Sequence, residues 1–94
     1  MLLVVKIGSN LIQTEKGDID LSFLSRLASE VKLLKEKGAK VLVVSSGAVL
    51  CGVKKLGLKE RPRELSAKQA IAGVGQAYLM HLYDMVFSNY GLFV

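Results

Sequence analysis

Apolar residues fall along this chain in three kinds of run. Residues 2–7, LLVVKI, and residues 40–44, KVLVV, are continuous and rich in β-branched side chains, the pattern of strands buried on both faces of a parallel sheet. Between them the period changes. Leu24, Leu27, Ala28, Val31 and Leu34 recur at three- and four-residue steps, while Arg26, Glu30, Lys32 and Lys37 lie mostly off that stripe, which predicts an amphipathic helix. Asp20 stands where its carboxylate can cap the helix start, and Gly38 stands just past Lys37, where a left-handed residue would end it. GSN closes the first strand, and residues 13–18, QTEKGD, form a polar loop or short excursion.

Strand, helix and strand within the first 45 residues make a βαβ unit, so the two strands are expected to be parallel, and the fold class is α/β. After Gly47, AVLCGVKKL reads as a short helix ending near Gly57, and GLKERPREL as a loop holding the single proline, Pro62. Ser66 is placed to cap a long helix running to about Asn89, with Gly91 as its stop. Its apolar positions, from Ala70 through Leu79 and Tyr83 to Phe87, spread around much of the circumference, the third kind of run and the mark of a helix buried on more than one side. The final LFV reads as the opening of a third strand.

Composition sharpens this picture. The chain is 51% hydrophobic over 94 residues, more than so small a core can absorb, which implies surfaces that something else covers. No apolar run approaches the roughly 20 residues needed to cross a bilayer. MLLVVKIGSN has neither a basic leader nor a small-residue cleavage site, so it is not read as a signal peptide, and the chain is placed in the cytoplasm with no membrane partner. The single cysteine, Cys51, suits a reducing compartment. The net charge is +5; solvated helix faces account for it, and an anionic small molecule is the alternative. Nucleic acid is disfavoured because the basic residues alternate with Glu and no aromatic platform is interleaved with them.

Two loops carry the candidate chemistry. In VVKIGSN, Lys6 lies at the C-terminal end of a strand, near the crevice where open α/β sheets bind ligands. Gly8 and Ser9 follow it, allowing close backbone approach and N–H donors for an anion. An edge-strand lysine reaching solvent fits the same pattern equally well. In VVSSGAV, Ser45, Ser46 and Gly47 lie between the second strand and a helix N-terminus, where free N–H groups and the helix dipole favour a carboxylate or phosphate. The competing reading is that Ser46 caps the helix and Gly47 permits the turn. Both loops leave the C-terminal ends of parallel strands, so they face one crevice, and a site for two anions fits phosphoryl transfer from a nucleotide to an acid.

Other signals are set aside. GVKKLGLK has two glycines at P-loop spacing, but Leu58 stands where the lysine is required. No G-x-G-x-x-G follows the first strand, and GVGQ, residues 73–76, reads as a helix-packing element. His81 has no acidic or cysteine partners at ligand spacing, so no metal site is expected. Cys51 reads as a small core residue, and Asp18 and Asp20 as loop and cap.

VVKIGSN, VLVVSSGAVLCGVKKLGL and KQAIAGVGQAYLMHLYDMVFSNYG, in this order and separation, resemble the N-terminal part of the amino acid kinase family. SSGAV, the following LGL, and KQAIAGVGQ with LM and Y after it are similar to its glutamate-phosphorylating branch rather than to its acetylglutamate, aspartate or uridylate kinases. The resemblance covers nearly the whole chain. It implies a three-layer sandwich with a mainly parallel open sheet. It also implies ATP-dependent phosphorylation of the side-chain carboxylate of L-glutamate to L-glutamyl 5-phosphate, the first step of proline biosynthesis. Lys6 would neutralise the transferring phosphoryl group, Gly8 and Ser9 would cradle it, Ser46 would contact glutamate, and Gly47 and Ala48 would give backbone access. Mg2+ would arrive with ATP, and a homo-oligomer is expected. Family members are much longer, so residues 1–94 are expected to be the N-terminal portion of one kinase domain, ending at the start of a third strand. Two alternatives stand beside this expectation: a non-catalytic binding or assembly module, and a kinase of another carboxylate amino acid.

Overall fold

Strands β1 (Leu2–Ile7) and β2 (Lys40–Ser45) pair in parallel, from Leu2 opposite Lys40 to Ile7 opposite Ser45. The computed structural model describes residues 1–94. The connection between the strands carries α1 (Ser9–Ile12) and α2 (Leu21–Glu36), and the chain continues into α3 (Ala48–Leu56) and α4 (Leu65–Ser88). The architecture is α/β, as the pattern implies. The one-turn helix α1 lies where only a loop was expected. The QTEKGD segment is closed by an isolated antiparallel bridge between Gln13 and Ile19, with the Asp20 N–H donating to the Ile12 carbonyl at 2.7 Å.

The sheet departs from expectation in one respect. Val5, Val41 and Val43 turn toward the helices and join a core of Leu24, Ala28 and Val31 from α2 with Leu79, Tyr83 and Phe87 from α4. Their neighbours alternate outward: Val4 is 55% and Leu42 53% exposed, and Lys6 shares that outer side. The strands are therefore buried on one face only, because α2 and α4 pack against the same side and no element of these residues covers the other. Two layers of the implied sandwich are formed. Only 14 of 94 residues are buried, so much of the apolar excess lies on the surface.

Helix ends follow local chemistry. Asp20 caps α2, its Oδ1 accepting the Phe23 N–H at 3.0 Å. The three long helices all close with a left-handed glycine, Gly38, Gly57 and Gly91. In each, the next residue's N–H reaches five residues back: Ala39 to Leu34, Leu58 to Val53, and Leu92 to Phe87, the Schellman arrangement. That closure explains why LFV is no strand. Leu92 is drawn into the core beside Phe87 as the hydrophobic member of the motif, leaving Phe93 and Val94 exposed. Ser66 is not the cap of α4 either. Glu64 occupies that position, and the Ser66 hydroxyl instead donates to the Glu64 carboxylate at 2.7 Å, a charge-assisted bond stronger than one to a neutral backbone group.

α4 buries one stripe, Gly75, Leu79, Leu82, Tyr83 and Phe87, while Val74 and Met85 remain exposed. It is thus half-covered rather than buried on several sides. The stripe meets α3 in backbone contact: a Cβ built on Gly75 would lie 1.7 Å from the Ala48 carbonyl oxygen, and one on Gly52 would lie 2.1 Å from that of Ile71. GVGQ is a packing element, as read. No helix is long and apolar enough to cross a membrane.

Candidate active site

The parallel register fixes where the two loops emerge. Ile7 and Ser45 are the last paired residues, so the loop that begins at Gly8 and the loop that begins at Ser46 leave the same end of the sheet. They are tied together by the Ser46 N–H, which donates to the Ile7 carbonyl at 2.8 Å and extends the ladder by one rung. Lys6, Gly8, Ser9, Ser46, Gly47 and Ala48 are all gathered at this end.

Lys6 is exposed on the outer face, opposite Val44. The sole ion pair in the chain joins Lys54 to Asp18 at 3.2 Å, so the Lys6 ammonium has no carboxylate partner. Gly8 has an extended backbone and takes the N-cap position of α1, and a Cβ there would meet nothing within 4 Å. The glycine is not demanded by packing.

The second loop is more constrained. Gly47 sits at φ 118°, ψ −2°, and begins α3 without any side-chain cap. Ser46 does not cap the helix, because the left-handed turn at Gly47 puts glycine itself in the cap position. The first bond of α3 runs from the Cys51 N–H to the Gly47 carbonyl at 2.9 Å, so the N–H groups of Ala48, Val49 and Leu50 have no partner within the helix. The Gly47 N–H is likewise unpartnered within the chain. Several backbone donors and the positive end of a helix dipole therefore converge beside the exposed Ser46.

Ser45 faces the other way. Its hydroxyl accepts from the Tyr83 hydroxyl at 2.7 Å and donates to the Ser46 carbonyl at 2.8 Å. Tyr83 is 3% exposed and stacks edge-on against Phe87, with centroids 5.4 Å apart. Burial holds its phenol above the ordinary value of 10.0, partly opposed by the Ser45 bond and reinforced by the neighbouring Cys51. Burial also pushes the Cys51 thiol above 9.0, which makes it a poor nucleophile. Sequence reading took Tyr83 for an apolar core position of α4. The signal that could have singled it out is general: a buried tyrosine hydroxyl needs a partner.

No three of His, Cys, Asp and Glu come close enough to hold a metal ion. Asp20 caps α2, Asp18 pairs with Lys54, and His81 is exposed on α4. A groove of about 660 Å³ runs along the free edge of β2, lined mainly by apolar residues such as Val31, Val41, Val43 and Phe87 and reaching the loop end only at Ser45. Its mainly apolar lining does not suit two anions, which leaves the loop end as the candidate site.

These features can be set beside known proteins. The model of the amino acid kinase family matches residues 1–94. Glutamate 5-kinase of Aquifex aeolicus is 67% identical over 92 residues, 98% of this chain and 26% of that protein. Glutamate 5-kinase of Geobacter sp. is 50% identical over 90 residues, covering 96% of the chain and 24% of the relative; that of Thermus thermophilus is 46% identical over 90 residues, with the same coverage. The chain thus spans about a quarter of the length of these curated relatives. A parallel β-strand pair with two loops leaving one end, and a family match that covers every residue, agree: this chain belongs to the amino acid kinase family.

Proposed function

We propose that the protein carrying this chain transfers the γ-phosphoryl group of ATP to the side-chain carboxylate of L-glutamate. A carboxylate oxygen forms the new bond to phosphorus as the bond to ADP breaks, giving L-glutamyl 5-phosphate for proline synthesis. The observation that carries this reading is the hydrogen bond from Ser46 to Ile7. It locks a lone lysine and an uncapped helix start at one strand end, in a chain 67% identical to a glutamate 5-kinase.

In this reading Lys6 draws charge from the transferring group, the role that matters most where catalysis is positioning and neutralisation. Gly8 and Ser9 present backbone donors to the phosphates. The Ser46 hydroxyl and the N–H groups of Gly47 and Ala48 hold glutamate, so that two anions meet without repelling each other apart. Mg2+ bound to the nucleotide would supply further charge neutralisation; with no carboxylate cluster here to hold it, these residues suit a metal that enters with ATP. The chain is the N-terminal portion of a single longer domain, working in the cytoplasm as a homo-oligomer. The exposed apolar face of the sheet supports a longer domain or a second copy that covers it.

The test is glutamate-dependent ADP release by the natural-length protein, with hydroxylamine trapping the acyl phosphate as its hydroxamate and with aspartate and acetylglutamate as competing acceptors. Lys6→Ala is expected to lower kcat about 100-fold or more, as loss of a charge-stabilising group does. Ser46→Ala is expected mainly to raise KM for glutamate. Absence of turnover with glutamate refutes the function; unchanged kinetics in both variants refutes the site.

A further inference from the structure

We infer that Tyr83 is a positioning residue for substrate: through Ser45 it aims the Ser46–Gly47 peptide whose N–H faces the acceptor carboxylate. The inference rests on the reading of the Ser46 loop as the glutamate site and adds a residue from a distant helix to it.

Ser45 has one hydroxyl proton, and its oxygen can rotate that proton among several acceptors. Tyr83 donates into the same oxygen at 2.7 Å, which occupies the side of Ser45 facing the core and leaves its proton directed at the Ser46 carbonyl, 2.8 Å away. The relay therefore runs one way, from Tyr83 to Ser45 to Ser46.

Its consequence follows from peptide geometry. In a planar trans peptide the C=O and the following N–H point in opposite directions. Holding the Ser46 carbonyl against Ser45 turns the Gly47 N–H to the far side, away from the core. That N–H has no partner within the chain, and the residue that bears it is a glycine at a positive φ of 118°, so no side chain of its own screens the N–H. The Ser46 N–H is bound to Ile7, so it fixes one side of Ser46 while Ser45 fixes the other.

Tyr83 is suited to this task because packing holds it in place. It is 3% exposed, packed on Phe87, and it lies on the α4 stripe that holds α3, the helix whose first turn completes the loop. A tyrosine placed only to fill the core would satisfy its hydroxyl with any nearby carbonyl; this one reaches the single serine that bonds to the site backbone.

The experiment compares the natural-length wild type with Tyr83→Phe, Ser45→Ala, Ser45→Thr and the Tyr83→Phe/Ser45→Ala pair, measuring kcat, KM for glutamate, KM for ATP and melting temperature. Loss of one neutral hydrogen bond from the relay is expected to raise KM for glutamate about two- to tenfold, with kcat and KM for ATP within about twofold of wild type. Ser45→Thr, which keeps the hydroxyl, is expected to retain the wild-type KM, and the pair is expected to add nothing to Ser45→Ala alone. An unchanged glutamate KM in Tyr83→Phe, a parallel rise of both KM values with a fall in melting temperature, or effects that multiply in the pair would each overturn the inference. A wild-type protein without glutamate turnover would instead overturn the functional reading beneath it.

Discussion

Replacing Gly75 with alanine adds a single methyl group where α4 crosses α3. The new Cβ would lie 1.7 Å from the Ala48 carbonyl oxygen and 2.4 Å from the Gly52 nitrogen, whereas real Cβ atoms essentially never come within 3.0 Å of another heavy atom. Both obstacles are backbone, so no side chain can rotate aside, and the helices must part by more than an ångström. Overpacking of this kind costs about 1–3 kcal/mol, and the backbone clash puts Gly75 at the upper end. Against this, alanine gains about 1 kcal/mol over glycine inside a helix. The clash wins, and the net loss is about 2 kcal/mol.

A second substitution isolates the clash from the propensity gain. Gly73 lies in the same helix two residues earlier, and a Cβ there would meet nothing within 4 Å. Gly73→Ala therefore keeps the propensity gain alone and is expected to stabilise by about 0.5–1 kcal/mol. Urea unfolding of the natural-length variants, followed by circular dichroism at constant m-value, reads both effects as shifts of opposite sign. Because Ala48 opens the helix behind Ser46 and Gly47, Gly75→Ala is also expected to raise KM for glutamate. If the two variants move the midpoint in the same direction, the close helix crossing is not what sets the identity of Gly75.

Two further outcomes follow from the same site. Gly47→Ala meets no clash, since the nearest atom, on Ile12, is 3.6 Å away, but it forces an L side chain to φ 118°; a loss of about 1–3 kcal/mol is expected, measured by the same unfolding curves, with weakened glutamate saturation. Stability is also expected to fall in alkali. Burial raises Cys51 above 9.0 and Tyr83 above 10.0, so beyond those values the unfolded chain loses its protons first, the folded state binds more, and stability drops as pH rises through the folded pKa values. Melting temperatures recorded from pH 7 upward should show no pH dependence from either group below about pH 8, and Cys51→Ala/Tyr83→Phe should flatten the decline above it.

What could be read from the sequence was what local chemistry decides. Asp20 caps α2, AVLCGVKKL spans α3, and Gly38, Gly57 and Gly91 close their helices, because caps and left-handed turns depend on residues within one or two turns of chain. The parallel pairing of β1 with β2 followed from the βαβ spacing, and with it the convergence of the two loops. Ser66 misled because a nearby Glu64 carboxylate outcompetes the backbone for its hydroxyl. LFV misled because an apolar triplet after a glycine suits a strand and a Schellman closure alike.

The sheet and Tyr83 show a different kind of illegibility. LLVVKI and KVLVV carry the pattern of strands covered on both faces, yet Val4, Leu42 and Val44 lie open; the pattern records the environment a strand is suited to, and these residues supply half of it. Lys6 belongs to that outer face, while Ser45, paired with Ile7, belongs to the inner one. The candidate site therefore straddles the sheet end, with its cation on the uncovered side and its bracing in the core. That bracing joins residues 38 positions apart. Nothing in the local pattern around Tyr83 distinguishes it from Leu79 or Phe87, its neighbours on the buried stripe of α4. Only the fold, by bringing α4 beneath the end of β2, turns one hydroxyl on an apolar stripe into a hold on the loop of the candidate site.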